Sequence, residues 1–380
     1  MEILVKTMFG LEDILIEELK SLGIKNCKKL KRAVKAEASL EQLYEANLRI
    51  RTGLQILVPM YTFTARNEQE VYDNIYKYDW TNEFRLRDTF AIEAHVNSRF
   101  FNHSKYIALK TKDAIADKFT DTFDRRPNVD PKDPDFAVNL YIQDNQVTVY
   151  KNSSGKSLHK RGYRLKAGKA PLNEVLAAGM LLIANYDGEQ HLVDPMCGSG
   201  TLLAEACMIA TNTPPNFNRK KFAFQSWDNY DKALFKTIKE KAESEIKEPS
   251  HEIWGCDIST EALDVSFENL SRQNYKKYVK LKKRNFLHQE PPVKGALLVF
   301  NPPYDLRIGS RDINELYREM GDTLKQFYGG STAWMISSNM QAFKHVGLRP
   351  SRKVPLFNGP LECKFQKYEM YAGSKKAKYQ

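Results

Sequence analysis

The stretch Val193-Asp194-Pro195-Met196-Cys197-Gly198-Ser199-Gly200-Thr201 constrains the fold more than any other in the chain. A short apolar run, His191 to Val193, ends on an acid and a glycine-rich turn, and a helical pattern from Thr201 to Ala210 follows at once. A strand, turn and helix in that order place the turn at the carboxyl edge of a parallel sheet, where such folds bind ligands. The rhythm continues downstream. Ile253 to Cys256 reads as a strand, Ser259 to Leu270 as a helix with Ser259 as N-cap, and Val279 to Lys282, Ala296 to Phe300 and Thr332 to Ile336 as further strands. This alternation predicts a parallel sheet with helices on both faces. Leu356-Phe357-Asn358-Gly359 is a hairpin signal, with Lys364 to Tyr371 as the returning strand.

The first half has a different texture. Ile3 to Val5 reads as a strand; Leu11, Ile14, Leu15, Leu19 and Leu22 share one helical face, with Gly23 as the cap. Helices are expected at Ser39–Asn47, Asn67–Tyr76 and Tyr106–Phe119, and strands at Leu54–Val58, Thr89–Val96, Phe136–Ile142 and Val147–Tyr150. That segregated order suggests small α+β layers rather than one doubly wound sheet. A basic, Ser/Gly-rich connector from Ser153 to Arg164 marks a boundary. Gly155-Lys156-Ser157 within it lacks the preceding glycine and the strand–helix setting of a phosphate loop. The expected domains are residues 1–60, 61–160 and 161–376.

Lys and Arg number 58 against 47 Asp and Glu, a net charge of +11, which favours a polyanionic partner. No apolar run approaches the roughly 18–20 residues that cross a bilayer. The opening Met1-Glu2-Ile3-Leu4-Val5-Lys6 lacks the pattern of a signal peptide, so a cytoplasmic location and no membrane partner are expected. The five cysteines are scattered and none is paired at zinc spacing, so neither a metal nor a disulfide framework is expected.

The glycine turn discriminates between cofactors. A dinucleotide site wants a third glycine three residues after the second, and that position is Leu203. Asp194, just before the glycines, would repel a pyrophosphate but suits the ammonium and sulfonium of S-adenosylmethionine. Gly198 and Gly200 permit close backbone approach, and Ser199 and Thr201 are candidate caps of the helix. Asp257, in Gly255-Cys256-Asp257-Ile258, ends the next strand where an acid accepts from ribose hydroxyls. Asn285-Phe286 follows the third strand and offers an edge and a face to adenine.

Phe300-Asn301-Pro302-Pro303-Tyr304 leaves an apolar strand directly. Two prolines hold the backbone extended and remove two amide donors. The Asn301 side-chain oxygen and the Pro302 carbonyl can each accept one N–H of an exocyclic amine, turning its lone pair toward a sulfonium methyl for in-line transfer. Tyr304 offers a face for an unstacked base. Asn301 therefore counts in both the catalytic and the cofactor-facing sets. The competing readings are a structural Pro-Pro turn and acids that serve only as turn formers.

With these motifs in place, residues from about Arg161 to Gly373 resemble a class I amino-methyltransferase of the Asn-Pro-Pro-Tyr type, and the preceding half resembles a THUMP module behind an N-terminal ferredoxin-like segment. Leu158-His159-Lys160-Arg161-Gly162-Tyr163-Arg164 and Ala170-Pro171-Leu172-Asn173-Glu174 resemble the join such proteins share. Together they are similar to bacterial 23S ribosomal RNA guanine-N2 methyltransferases, whose relatives are often labelled N6-adenine-specific DNA methylases. The resemblance implies an α/β fold: a Rossmann-like class I methyltransferase sheet with an N-terminal α+β ferredoxin-like/THUMP region. It implies S-adenosylmethionine contacts from Asp194, Cys197, Gly198, Gly200, Thr201, Asp257, Ile258 and Asn285, and base handling by Asn301, Pro302 and Tyr304. Asn285 stands where such enzymes often carry Asp. It also implies that the THUMP half binds structured RNA, 23S ribosomal RNA or a ribosomal precursor.

The expected activity is methyl transfer to an exocyclic base amine in RNA, guanine N2 first. Adenine N6 in DNA or RNA is the rival of the same chemistry, and a noncatalytic RNA-binding assembly factor is the rival of another class. The insertion Asn212 to Trp227 mixes Arg219-Lys220-Lys221 with Phe217, Phe222, Phe224 and Trp227, a composition that suits phosphates and splayed bases as well as it suits a packing loop.

Overall fold

The computed structural model describes residues 1–164, 172–304, 307–308 and 311–371. Ala170-Pro171 of the junction and the basic tail Ser374–Lys378 lie outside the described residues. The chain divides into two compact units, one of Met1–Thr7, Leu15–Lys160 and Asn218–Glu240, the other of Met8–Ile14, Arg161–Phe217 and Lys241–Gln380.

The N-terminal elements are β1 (Glu2–Thr7), α1 (Glu12–Ser21), β2 (Lys25–Leu30), β3 (Ala33–Glu37), α2 (Leu40–Arg49), β4 (Gly53–Thr64), α3 (Glu68–Lys77), β5 (Phe90–Asn97), α4 (Ser104–Phe123), β6 (Phe136–Gln143) and β7 (Gln146–Asn152). In place of separate small layers, they build one seven-stranded sheet in the order β2-β3-β1-β4-β7-β6-β5. The 12-residue β4 is the splice. Its first part pairs with β1, Leu57 opposite Leu4, and Leu57 to Thr64 pairs with β7. The sequence suggested only Leu54–Val58 because Pro59 interrupts the pattern. The register shifts between Pro59 and Tyr61, a bulge of the kind that lets a strand carry proline. The boundary expected at residue 60 therefore falls inside β4. Strands β2 and β3 were not anticipated. β2 is an edge strand exposed almost throughout, so its sequence carries no alternation to read.

Asn47 ties this sheet to the connector. Its fully buried amide donates to Leu43 O and to Ser153 Oγ, both at 2.9 Å, and accepts from Ser154 Oγ at 2.6 Å. Ser154 Oγ in turn accepts from the Ile56 amide on β4. The serines that look like a loose linker are thus buried in a satisfied network. Asn47→Ala takes one partner from each buried serine hydroxyl and leaves a gap between them, and the full chain is expected to lose about 3 kcal/mol in a denaturant titration. An unchanged midpoint would show that the network contributes nothing net.

From Glu174 onward run α5 (Glu174–Ile183), β8 (Leu192–Asp194), α6 (Thr201–Ala210), α7 (Lys232–Ser244), β9 (Ile253–Asp257), α8 (Thr260–Ser271), β10 (Val279–Lys283), β11 (Leu297–Phe300), the two-residue strands β12 (Arg307–Ile308) and β13 (Arg311–Asp312), α9 (Ile313–Phe327), β14 (Thr332–Ser337), β15 (Arg352–Asn358) and β16 (Leu361–Glu369). The second sheet has the order β10-β9-β8-β11-β14-β16-β15. The first five of these strands are parallel, and β16 enters antiparallel to β14. α6 is buried along its whole length and packs against α5, which is buried almost as completely. A helix apolar all round belongs in a core, and it gives no periodic signal. That is why α5 was not anticipated. On β8 and β11, Val193, Leu298 and Phe300 share a second core with Tyr317, Met320 and Leu324 of α9.

Candidate functional site

The strand order reverses at β8: β9 lies on one side of it and β11 on the other. Crevices at such switch points, beyond the carboxyl ends of the strands, are where open α/β sheets take ligands. Leu298 pairs with Val193, so Val299 lies level with Asp194, and the glycine turn and Asn301 leave neighbouring strands at nearly one height. The register thus brings together the two motifs that the sequence separates.

Asp194 is 1% exposed, and its Oδ1 accepts from the Met196 amide at 3.2 Å. Burial pushes its carboxyl well above the usual range, the amide opposes this, and the negative charge of Asp257 adds to it. Asp257 is oriented by two amides, Gly198 N on one oxygen and Ser259 N on the other, each at 2.9 Å. The Cys197 amide donates to Cys256 O at 2.9 Å, tying the turn to β9, while its side chain is buried. Gly198 and Gly200 both adopt positive φ, +52° and +76°. A Cβ on Gly200 would strike Ser266 Oγ, whereas one on Gly198 would meet no atom within 4 Å, so its backbone faces open space.

Beyond β10 a cavity of about 500 Å³ is lined by Ile258, Lys282, Lys283, Arg284, Asn285 and Gln289. Ile258 is 63% exposed, an apolar surface beside Asp257. Asn285 Oδ1 accepts from the Leu287 amide at 3.1 Å, which fixes the direction of its side chain. Phe286 departs from expectation. It is 3% exposed, with its ring against Phe300 and Tyr328 at centroid distances of 5.7 and 5.5 Å. That packing takes the Phe286 ring away from the cavity, whose apolar lining comes from Ile258 instead.

In the Asn-Pro-Pro-Tyr turn, the Tyr304 hydroxyl donates to Asn301 Oδ1. The phenol lies above its ordinary range, first through burial and then through Cys363 and Tyr317. The turn is braced by residues the sequence reading missed. The Tyr317 hydroxyl on α9 donates to Pro303 O at 3.2 Å and shares a hydrogen bond with Ser337 Oγ at 2.7 Å, and Asn339 Nδ2 donates to Tyr304 O at 3.2 Å. Their signal was present in Ser337-Ser338-Asn339, polar residues ending the apolar strand β14, which neighbours β11. Because Tyr317 occupies the Pro303 carbonyl, the acceptor pair left to consider is the Asn301 side chain and Pro302.

One further expectation is corrected, and one open alternative is narrowed. α6 is N-capped by Gly200 without any side-chain cap, so neither Ser199 nor Thr201 plays that part; Thr201 Oγ1 instead accepts from Arg164 at 3.0 Å. In the insertion, Phe222, Phe224 and Trp227 are buried within the first unit, Phe224 stacking on Tyr44 at 4.3 Å. Arg219 donates to Ser154 O at 3.1 Å, and Lys221 pairs with Asp135. These aromatics pack, as in the packing-loop alternative.

The residues fit S-adenosylmethionine. The open space over Gly198, a buried carboxylate for a cation, a second carboxylate with its lone pairs directed by amides, and an exposed apolar side chain next to an amide are the donor set such a ligand asks for. Among the described residues no group of His, Cys, Asp and Glu is arranged to hold a metal, and no helix is long and apolar enough to cross a membrane.

Comparison with known proteins agrees with this fold. Residues 161–367 match the RMKL-like methyltransferase domain, 65–152 the THUMP domain and 2–57 the RlmL ferredoxin-like domain. A candidate RNA methyltransferase of Synechocystis sp. is 36% identical over 95% of both chains. Ribosomal RNA large subunit methyltransferase K/L of Shewanella sp. is 34% identical over 96% of this chain, which spans only 52% of that longer protein. The crystal structure of SMU.472, a candidate methyltransferase complexed with SAH, superposes with a TM-score of 0.86 at 27% identity, covering 98% of this chain and 99% of that one. With more than half its length in one family match and a relative above 30% identity along nearly all of it, the chain belongs to the RMKL-like methyltransferases that carry a THUMP domain.

Proposed function

We propose that this chain transfers a methyl group from S-adenosylmethionine to the exocyclic N2 of a guanine in large-subunit ribosomal RNA, in the cytoplasm. The observation that carries the reading is the adjacency of β8 and β11, which sets an acid-flanked glycine turn beside Asn-Pro-Pro-Tyr. Asp194 receives the cationic end of the cofactor, Asp257 the ribose hydroxyls, and Ile258 with Asn285 the adenine. S-adenosylmethionine supplies an electrophilic methyl when bound. Asn301 Oδ1 and Pro302 O accept the two amine hydrogens and orient the nitrogen lone pair, and Tyr304 carries the base on its ring. For the amine to reach Asn301, the Tyr304 hydroxyl must release the oxygen it now holds. Residues 61–160, with the ferredoxin-like segment before them, would deliver structured RNA. Guanine follows from the resemblance to guanine-N2 enzymes, and the ribosomal target from the name of the K/L relatives.

The test is mass spectrometry of ribosomal RNA nucleosides from a strain lacking the protein and from its parent. N2-methylguanosine should fall, and be restored by wild type but not by Asn301→Ala. A fall in N6-methyladenine instead would place the chemistry on the other amine. No change in any methylated base would favour an assembly factor.

The division of labour at Tyr304 gives a second expectation. Tyr304→Phe keeps the stacking face and frees Asn301, so its single-turnover rate should stay within about threefold of wild type. Tyr304→Ala should lose about thirtyfold, the scale of one base–aromatic stack. Equal losses in the two variants would assign the role to the hydroxyl.

A further inference from the structure

Behind the glycine turn lies a set of charged side chains that the chemistry above does not use. Glu205, on α6 just after the turn that Thr201 begins, is fully buried, and Arg161 Nε lies 3.5 Å from its Oε1 with 1% of the arginine side chain exposed. The Tyr163 hydroxyl donates to the same oxygen at 3.0 Å. Arg164 reaches two other elements. Its Nη2 donates to Leu172 O at 2.6 Å and to Thr201 Oγ1 at 3.0 Å, and it lies 3.5 Å from Glu174 Oε1 at the start of α5.

Charge burial of this kind is poor value as a stability device, since apolar residues of similar volume generally hold a core as well or better. Its geometric content is specific. These contacts end on α6, at Thr201 and Glu205, or at Leu172 and Glu174 where the chain enters α5, the helix packed against it. α6 itself begins at Gly200 in a left-handed conformation with no side-chain cap, so no side chain of Gly200 fixes where its first turn starts. A binding turn must be held within about 0.5 Å to be competent. Asp257 and Asn269 hold the Gly198 amide and Ser199 carbonyl of this one, and Arg164 holds Thr201 where the turn passes into the helix.

We propose that Arg164 is a positioning residue that locks the first turn of α6, and with it the Asp194–Gly200 turn, into the geometry that accepts S-adenosylmethionine. Arg161, Tyr163 and Glu205 anchor the segment that carries it. The inference rests on the cofactor reading of the turn. One nitrogen of the rigid guanidinium plane, Nη2, meets the Leu172 carbonyl, the Thr201 hydroxyl and the Glu174 carboxylate, and a lysine ammonium, on a shorter and more flexible stem, loses that fixed placement.

The experiment titrates the full chain with SAH by calorimetry, alongside melting of the ligand-free protein and retention of ribosomal RNA. Arg164→Lys keeps the charge and loses the fork; Thr201→Val removes only the acceptor. Each should weaken SAH binding by about tenfold, the scale of one charge-assisted hydrogen bond. The double variant should be no weaker than about the worse single, because the two share one contact. Melting should stay within about 2 °C of wild type, and RNA retention should be unchanged. SAH affinities within twofold of wild type would overturn the proposal. So would a loss that runs in step with melting temperature and RNA retention, the mark of a merely structural role. A wild type that binds no SAH would overturn the cofactor reading and this inference with it, a failure recognisable because it needs no variant.

Discussion

Asn301→Ala is expected to lower the single-turnover rate of methyl transfer about a thousandfold, with SAH affinity and RNA retention within about fivefold of wild type. The size follows from what is removed. An exocyclic amine conjugated with its base is a poor nucleophile, and its lone pair becomes available only when both hydrogens are held out of plane. In the proposed mechanism Asn301 supplies one of the two acceptors; it follows β11 directly and opens a turn whose Pro303 and Tyr304 carbonyls are braced by Tyr317 and Asn339. Removing a single preorganised partner of a developing charge costs on the order of a hundred- to a thousandfold. Asn301→Asp is the informative companion. It keeps an acceptor at the same position but adds a charge, so it should recover part of the rate. A variant with Ala at 301 that transfers methyl at the wild-type rate would remove Asn-Pro-Pro-Tyr from the chemistry.

The second large effect concerns Asp194 and divides stability from binding. Its folded pKa is raised above the unfolded value, chiefly by burial. For a group shifted in that direction, the contribution to stability is complete below the ordinary carboxylate range and is lost as pH rises through the raised value. At neutral pH the ligand-free protein therefore either holds a proton on Asp194 or bears an uncompensated buried charge. Asp194→Asn removes that burden, and ligand-free protein carrying it should melt at least about 2 °C higher than wild type at pH 7. The wild-type disadvantage should shrink as pH falls toward the ordinary carboxylate range. The same substitution takes away the counter-charge that the proposed function assigns to the cofactor cation, and SAH affinity should fall about a hundredfold. Melting curves across pH, with and without SAH, read both effects. A variant that melts lower and binds normally would make Asp194 a structural turn former.

The methyltransferase sheet was largely legible because its parallel strands are short apolar runs closed by chemistry-bearing loops: Val193 before Asp194, Cys256 before Asp257, Phe300 before Asn301. Each boundary is sharp for a physical reason, since a strand buried on both faces must change composition where it meets solvent. Elements failed where that contrast was missing. α5 is apolar all round, β2 polar all round, and β4 carries a proline in mid-strand. In the site, Phe286 and the insertion aromatics show a common limit. An aromatic side chain near a functional loop gives no hint of which way it points, and both went inward. The braces Tyr317, Ser337 and Asn339 were harder still, because they act on the turn from α9 and from the neighbouring strand.

The splice at β4 bears on how such a protein can be taken apart. The matches to the ferredoxin-like and THUMP families end at residue 57 and begin at residue 65, so the seam between two catalogued modules runs through a single strand. A break there would strip β1 of one neighbour or β7 of another and leave an open edge ready to pair with other chains. The same unit also draws on Asn218–Glu240, a segment encoded far downstream within the methyltransferase match. Its inheritance is therefore indivisible. A recombination event that moved the two N-terminal modules without Asn218–Glu240 would leave behind Phe224, the ring that stacks on Tyr44 of α2.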